Sequence, residues 1–174
     1  MTKAPAGVFS NEGDTIILVG STADELGGSE YYNIIGKKND GKAPQVPENI
    51  TTVVDTLISL AESGKITASH DVSLGGIAVA LAEMCEKTGA EVDLSNVAEG
   101  LRTDDILFSE SYARALITTS EPDAVMEMIG EVPCTVIGTV GGNKLSIQIR
   151  GSKTELSLEE IKEARESLMN LMME

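Results

Sequence analysis

The sequence predicts an α+β domain, and three observations carry the prediction. Short β-branched runs alternate with stretches of helical apolar spacing. Two of the runs, 134–140 and 144–150, flank Gly141-Gly142-Asn143 in the manner of an antiparallel hairpin. One helix, over 77–85, is apolar around almost its whole circumference and therefore needs cover on most sides. About five or six strands interleave with about four or five helices, and a hairpin among them favours α+β over a doubly wound parallel sheet.

Taken in order, residues 1–13 carry Pro5, Gly7 and Gly13 and predict a loose, flexible arm ahead of a single domain over 14–174. Residues 14–20 (DTIILVG) are a buried strand. In 21–35, Gly27-Gly28 interrupts a helix-like stretch, and Ser29 ahead of Glu30 reads as a helix cap, with a ligand loop as the alternative. Residues 37–47 hold two prolines and a glycine and predict an exposed loop. Pro47-Glu48-Asn49 opens a helix whose apolar face is Ile50, Val53, Val54, Leu57, Leu60 and Ala61, closed by Gly64.

The chain is organised around residues 66–84, ITASHDVSLGGIAVALAEM. The pattern is strand, tight turn, buried helix, with Asp71 or Ser73 as the helix cap. Such a turn leaves backbone N–H groups pointing out of the helix start, where an anion could sit, and Asp71 adds a hard oxygen ligand suited to Mg²⁺ if a phosphate shares it. Gly89 ends the helix, and residues 91–94 alternate as a short strand. Ala115 to Thr119 reads as a strand, and Pro122 starts a helix through Ile129. Ser157 or Thr154 caps a last helix with Leu158, Ile161, Arg165, Leu168 and Met172 on one side.

The bulk numbers exclude more than they assign. A hydrophobic content of 41% and a charged content of 24% over 174 residues are those of a soluble domain with a sizeable core. With 13 basic against 28 acidic residues, the net charge of −15 argues against nucleic acid and against anionic membranes. No run approaches the ~20 apolar residues of a membrane helix, and the N-terminal MTKAPAGVFSNEGD lacks the features of a secretion signal. Cys85 and Cys134 read as buried thiols of a reducing, cytoplasmic compartment.

Familiar catalytic arrangements are missing. His70 is the only histidine, and its place beside Asp71 in a turn predicts a local bond rather than general-base duty. Neither a Walker A sequence nor GxGxxG occurs. Ser109, Glu110, Ser111 and Arg114 form a dense polar set that reads either as an anion site or as a β-bulge with a surface ion pair.

Three polar segments occur in a telling order: Leu26-Gly27-Gly28-Ser29-Glu30-Tyr31, then Ser69-His70-Asp71-Val72-Ser73-Leu74-Gly75-Gly76 with the helix behind it, then Phe108-Ser109-Glu110-Ser111 through Arg114. Together they resemble the C-terminal domain of the phosphoribosylformylglycinamidine synthase (FGAM synthase) family, within the aminoimidazole ribonucleotide (AIR) synthetase superfamily, over residues 8–150. The resemblance implies a three-layer α/β/α sandwich of partly ferredoxin-like topology. It implies part of an ATP-dependent ligase of purine biosynthesis, which phosphorylates an amide oxygen of formylglycinamide ribonucleotide and lets ammonia from glutamine displace the phosphate. In that family two tandem halves each carry an A domain followed by a B domain, and this chain resembles the last B domain, excised from a several-fold longer protein.

The family's catalytic histidine and most of its ligands lie outside that domain, so the resemblance assigns no catalytic residue here and implies inactivity in isolation. It makes Ser73, Gly75 and Gly76 candidates for nucleotide binding and Asp71 a candidate Mg²⁺ ligand. Gly27, Gly28, Ser29, Glu30, Ser109, Glu110 and Arg114 are further candidates in the flanking loops. Leu74 stands where many relatives carry an acidic residue. Mg²⁺ and ATP are implied for the full enzyme, and no cofactor is fixed for this domain alone. The implied partners are the remaining A and B domains, a glutaminase subunit and a small bridging subunit, with a homodimer through the apolar helix as a further option. A scaffold domain is one alternative; the matching domain of a superfamily relative, such as selenophosphate synthetase or a hydrogenase maturation factor, is another, and Leu26 to Tyr31 argues against any such relative.

Overall fold

The computed structural model describes residues 4–173, with side chains described through residue 167. Seven strands form one sheet: β1 (Thr15–Val19), β2 (Ala68–Asp71), β3 (Ala90–Asp93), β4 (Ala115–Thr119), β5 (Cys134–Val140), β6 (Lys144–Ile149) and β7 (Ser152–Ser157). The helices are α1 (Glu30–Ile34), α2 (Ile50–Ser63), α3 (Gly76–Met84), α4 (Thr103–Phe108), α5 (Pro122–Ile129) and α6 (Leu158–Met173). The strand order is β2-β4-β1-β5-β3-β6-β7, and the neighbours are antiparallel except for the parallel pair β3–β6.

The period of two along β1 sorts its side chains into two cores. Ile16 and Leu18 join Ile77, Leu81 and Met84 of α3, Ile106 of α4 and Ile161 of α6 on one face. Ile17 and Val19 meet Val53 and Leu60 of α2 and Val125 and Ile129 of α5 on the other. The result is helices, sheet, helices, the α+β sandwich expected of the sequence. With so few aromatic residues both cores are aliphatic apart from Phe9 in the first, and each fully buried Leu or Ile contributes about 1.5–3 kcal/mol.

Four differences from the sequence reading have physical causes. Strands β5 and β6 fall where expected but do not pair with each other, because β3 runs between them. Glycine makes room for it: a Cβ at Gly138 would collide with the carbonyl oxygen of Glu91, and one at Gly89 with that of Lys144. Gly141-Gly142-Asn143 therefore spans the end of β3. There Gly141 N–H donates to Gly89 O, and Gly89 N–H to Gly142 O, both at 2.9 Å. The actual hairpin is β6–β7, turned at Arg150 (φ 47°) and Gly151 (φ 84°), the two positive values a tight primed turn needs. Its second strand, β7, is polar except for Leu156 and went unread in the sequence.

The second difference lies at the N-terminal end. Where the sequence predicts a loose arm, Ala6 N–H donates to Thr67 O (2.9 Å) and Ser69 N–H to Ala6 O (2.8 Å). Phe9 is buried in the main core with its N–H on Met84 O. One of only two phenylalanines, it ties the segment down by burial that composition alone does not reveal. Third, α3 is capped by neither Asp71 nor Ser73: its N-cap is Gly75 in the left-handed region at φ 77°. Fourth, the cover that α3 needs on most sides is present but leaves one strip open, where Val79 is 38% exposed along a groove of about 640 Å³ between α3 and α6.

Other expectations hold. Ser29 caps α1, accepting from Tyr32 N–H, and Gly64 ends α2 at φ 72°. Pro122 opens α5. Ser157, rather than Thr154, caps α6 in a capping box with Glu160. Leu168 and Met172 lie outside the described side chains. Both cysteines are free; burial pushes the Cys85 thiol up to about 12 and raises the half-buried Cys134 as well, which disfavours the thiolate at each. Among the described residues no helix is long and apolar enough to cross a membrane.

Candidate functional site

The three polar loops meet. Gly27 and Gly28, Asp71 to Leu74, and Glu110 with Tyr112 to Arg114 line one cleft of about 600 Å³, joined by Pro44. Topology accounts for this: β2 and β4 are adjacent antiparallel strands, with Asp71 opposite Ala115, so the exit of β2 and the entry of β4 lie side by side. The end of β1, which leads into the 27–28 loop, sits on the other flank of β4.

Glu110 holds the loops in place. Its Oε1 accepts from Gly75 N–H at the start of α3 (2.9 Å) and from Glu30 N–H at the start of α1 (3.0 Å). The helix-start N–H groups that the sequence offers to an anion thus already face a carboxylate from the same chain. Residue Gly76 lies against the backbone of 107–109 at the end of α4. Gly27 N–H donates to Lys42 O at 2.7 Å, and Gln45 N–H reaches Glu25 Oε1 at 2.9 Å, which folds the 37–47 loop over the cleft's edge.

Arg114 forms neither a surface ion pair nor a free anion clamp. It is 3% exposed and donates through Nε to Ser111 O (3.0 Å), through one terminal nitrogen to Ser109 O (2.6 Å) and through the other to Thr22 Oγ1 (3.0 Å). Burial pulls its pKa down to about 10, partly opposed by Glu25 and Glu110. Its work is to stitch the 109–113 turn to the exit of β1. The hydroxyls of that turn also face inward: Ser111 Oγ accepts from Ala23 N–H, while Ser109 Oγ is buried without a partner.

The candidates therefore divide. Gly27, Gly28, Asp71, Ser73, Glu110 and Arg114 line the cleft, whereas Ser29, Glu30, Gly75, Gly76 and Ser109 stand behind it as supports. His70 lies outside the lining and makes the local contact expected of it, Nδ1 to Asp71 O at 2.7 Å. Sequence reasoning missed Tyr112, which is half-exposed in the lining, and Glu25, buried near Arg114. Nothing in their spacing separates them from ordinary loop residues.

Helix α4, also missed, braces the site. Arg102 and Asp105 form a bidentate pair (Nε to Oδ2 3.0 Å, a terminal nitrogen to Oδ1 2.9 Å), and Arg102 also reaches Tyr32 of α1 at 3.1 Å. Tyr31 stacks on Phe108 at 4.4 Å. Arg102 holds the Asp105 carboxyl below its ordinary 3.8. A depressed folded pKa stabilises the protein above the unfolded value and ceases to do so as pH falls through the folded one. The stability gap between the native chain and Asp105→Asn should therefore be full at pH 7 and shrink steadily below 3.8 in urea titrations.

Comparison with known proteins decides the family. Residues 11–150 match the model described as "AIR synthase related protein, C-terminal domain". The chain belongs to this family. It is similar to phosphoribosylformylglycinamidine synthase subunit PurL of Methanosarcina mazei, at 50% identity over 172 residues, 99% of this chain and 24% of that protein. PurL of Pyrococcus abyssi is 38% identical over 86% of this chain and 21% of its own length. The chain thus spans about a quarter of the length of the curated relatives it matches. Among solved structures, Thermotoga maritima PurL complexed with FGAR shares the fold at TM-score 0.75 and 21% identity, over 92% of this chain and 29% of that one. Hydrogenase maturation protein HypE in complex with ATP is less similar in fold, at TM-score 0.60 and 19% identity.

The AIR synthase family's implied Mg²⁺ can be weighed against the residues present. Asp71 and Glu110 line the same cleft, but among the described residues no group of three or more His, Cys, Asp or Glu could hold a metal. Two carboxylates fit Mg²⁺ only where phosphate oxygens and water complete its six ligands.

Proposed function

We propose that this chain is the C-terminal domain of a FGAM synthase, the ligase that converts formylglycinamide ribonucleotide to the amidine using ATP and glutamine-derived ammonia in the cytoplasm. The convergence of the three polar loops on one cleft, in a chain 50% identical to a PurL, carries the reading. The domain completes and braces the ligase alongside its A domains and the first half, with a glutaminase and a small bridging subunit as partners. By itself it makes no FGAM.

The cleft takes the phosphates of a Mg-nucleotide, with Asp71 as metal ligand, Ser73 beside the phosphate and the Gly75-Gly76 turn supporting them from behind. Glu110 occupies the helix-start N–H groups, so phosphate reaches them only through the cation or by displacing the carboxylate. Nucleotide binding by the isolated domain is accordingly weak. Calorimetry with Mg-ADP should give measurable heat for the native chain and none for Asp71→Ala. Equal heats for the two proteins remove the site assignment, and FGAM formation by the purified chain overturns its inactivity in isolation.

A further inference from the structure

Strand β7 is an unprotected sheet edge. It pairs with β6 in an unbroken register of six residues, from Lys144–Ser157 to Ile149–Ser152, and contains neither proline nor glycine nor a bulge. Every residue from Ser152 to Leu156 is exposed. Among the described residues no further strand covers its outer side. Such an edge offers a row of free backbone groups to another strand.

The sequence of the edge selects the occupant. In an antiparallel pair, directly opposite residues are both hydrogen-bonding or both not. Two copies of one edge strand, which present the same alternate residues outward, can meet about a twofold axis only where paired residue numbers have the same parity. The central registers are therefore centred on Lys153, Thr154 or Glu155. The first sets Lys153 against its own copy, and the last does so for Glu155; like charges directly opposite are unfavourable. Centring on Thr154 places Lys153 opposite the second copy's Glu155, twice over, and Ser152 opposite Leu156.

The other face agrees. Ser152, Thr154 and Leu156 line the apolar groove between α3 and α6, so the second copy's Leu156 would come over Ser152 at the groove's rim. Leu156 and Val79, each 38% exposed, give that rim an apolar character. Charge within the strand already follows the same logic, because Lys153 and Lys144 both contact Glu155 at 2.8 Å.

We infer that β7 is a self-complementary edge through which a second copy of this chain adds antiparallel about a twofold at Thr154, continuing the sheet across both subunits. Sedimentation equilibrium across a range of concentrations should detect this dimer for the native chain. Lys153→Glu and Glu155→Lys should each weaken it about tenfold or more, since each turns both cross-strand attractions into repulsions. The double variant exchanges the charges and should restore it. These side chains are on the solvent side of the edge, so folding, read by circular dichroism, should not change. Thr154→Cys should form a disulfide-linked dimer on oxidation, and Ser157→Cys, off the axis, should not. A strictly monomeric native chain overturns the inference. So does a dimer indifferent to both charge reversals, or one that the double variant fails to rescue. None of these outcomes bears on nucleotide binding, which takes place in a different cleft.

Discussion

Replacing Arg114 by Met should destabilise the domain by about 2–6 kcal/mol, the cost of two buried carbonyls left without their donor. The reason lies in what the guanidinium leaves behind. Its partners are mostly main-chain carbonyls, Ser109 O and Ser111 O, together with Thr22 Oγ1. Methionine matches the volume and removes the burial penalty that pulls the Arg114 pKa down, but it cannot donate. Each carbonyl orphaned in the interior costs about 1–3 kcal/mol, and Glu25 and Glu110 lose a nearby positive charge. Arg114→Lys keeps the charge yet cannot span both carbonyls with one ammonium, so its loss should fall between native and Met. Urea titration of the three proteins checks the order. A methionine variant as stable as the native chain would mean that water reaches the 109–113 turn and replaces the guanidinium.

The same arginine marks how far the sequence could be read. Its presence in a polar cluster was plain, but an Arg among Ser and Glu reads as surface unless the strand behind it is known to be central. Strand β4 is central, flanked by β1 and β2, and this pulls Arg114 inside. Elements with strong periodicity or strong punctuation were legible: β1, α2 closed by Gly64, α5 opened by Pro122 and the apolar α3. Pairing was not. A hairpin about Gly141-Gly142-Asn143 looks local, and nothing near it announces that β3 (Ala90–Asp93), far upstream in the chain, is inserted between its arms. The trace is a pair of glycines, Gly138 within β5 and Gly89 just ahead of β3, and such a glycine has several other meanings. Short polar elements also escaped. Strand β7 has little β-branched content, and α4 is shorter than two full turns, with Arg102 at its N-cap position in place of a Ser, Thr, Asp or Asn. At the site the contributing loops were legible from their residues, whereas their division into lining and support depends on side-chain direction, which spacing does not encode.

Gly76→Ala should cost roughly 2–5 kcal/mol and should disturb the cleft as well as the core, for two separable reasons. Gly76 has φ 68°, a conformation that costs an L-residue about 1–2 kcal/mol. A Cβ there would also stand 2.7 Å from Leu107 O and from Ser109 O, both backbone atoms that cannot rotate away, and overpacking of this kind adds about 1–3 kcal/mol. Gly28→Ala separates the two effects. Gly28 is equally left-handed at φ 81° but has nothing within 4 Å of its Cβ position, so it should suffer the backbone cost alone. The difference between the variants measures how tightly the start of α3 presses on the end of α4. Relief of that pressure has to move one segment against the other, and Glu110 follows Ser109 directly while its carboxylate holds Gly75 N–H. A shift at Gly76 therefore lengthens the bond on which the three-loop arrangement depends. Amide hydrogen exchange at Gly75 and Glu30 should speed up in Gly76→Ala and stay slow in Gly28→Ala. Unchanged protection at both amides in Gly76→Ala would show that Glu110 is held by something other than the fit of α3 against α4.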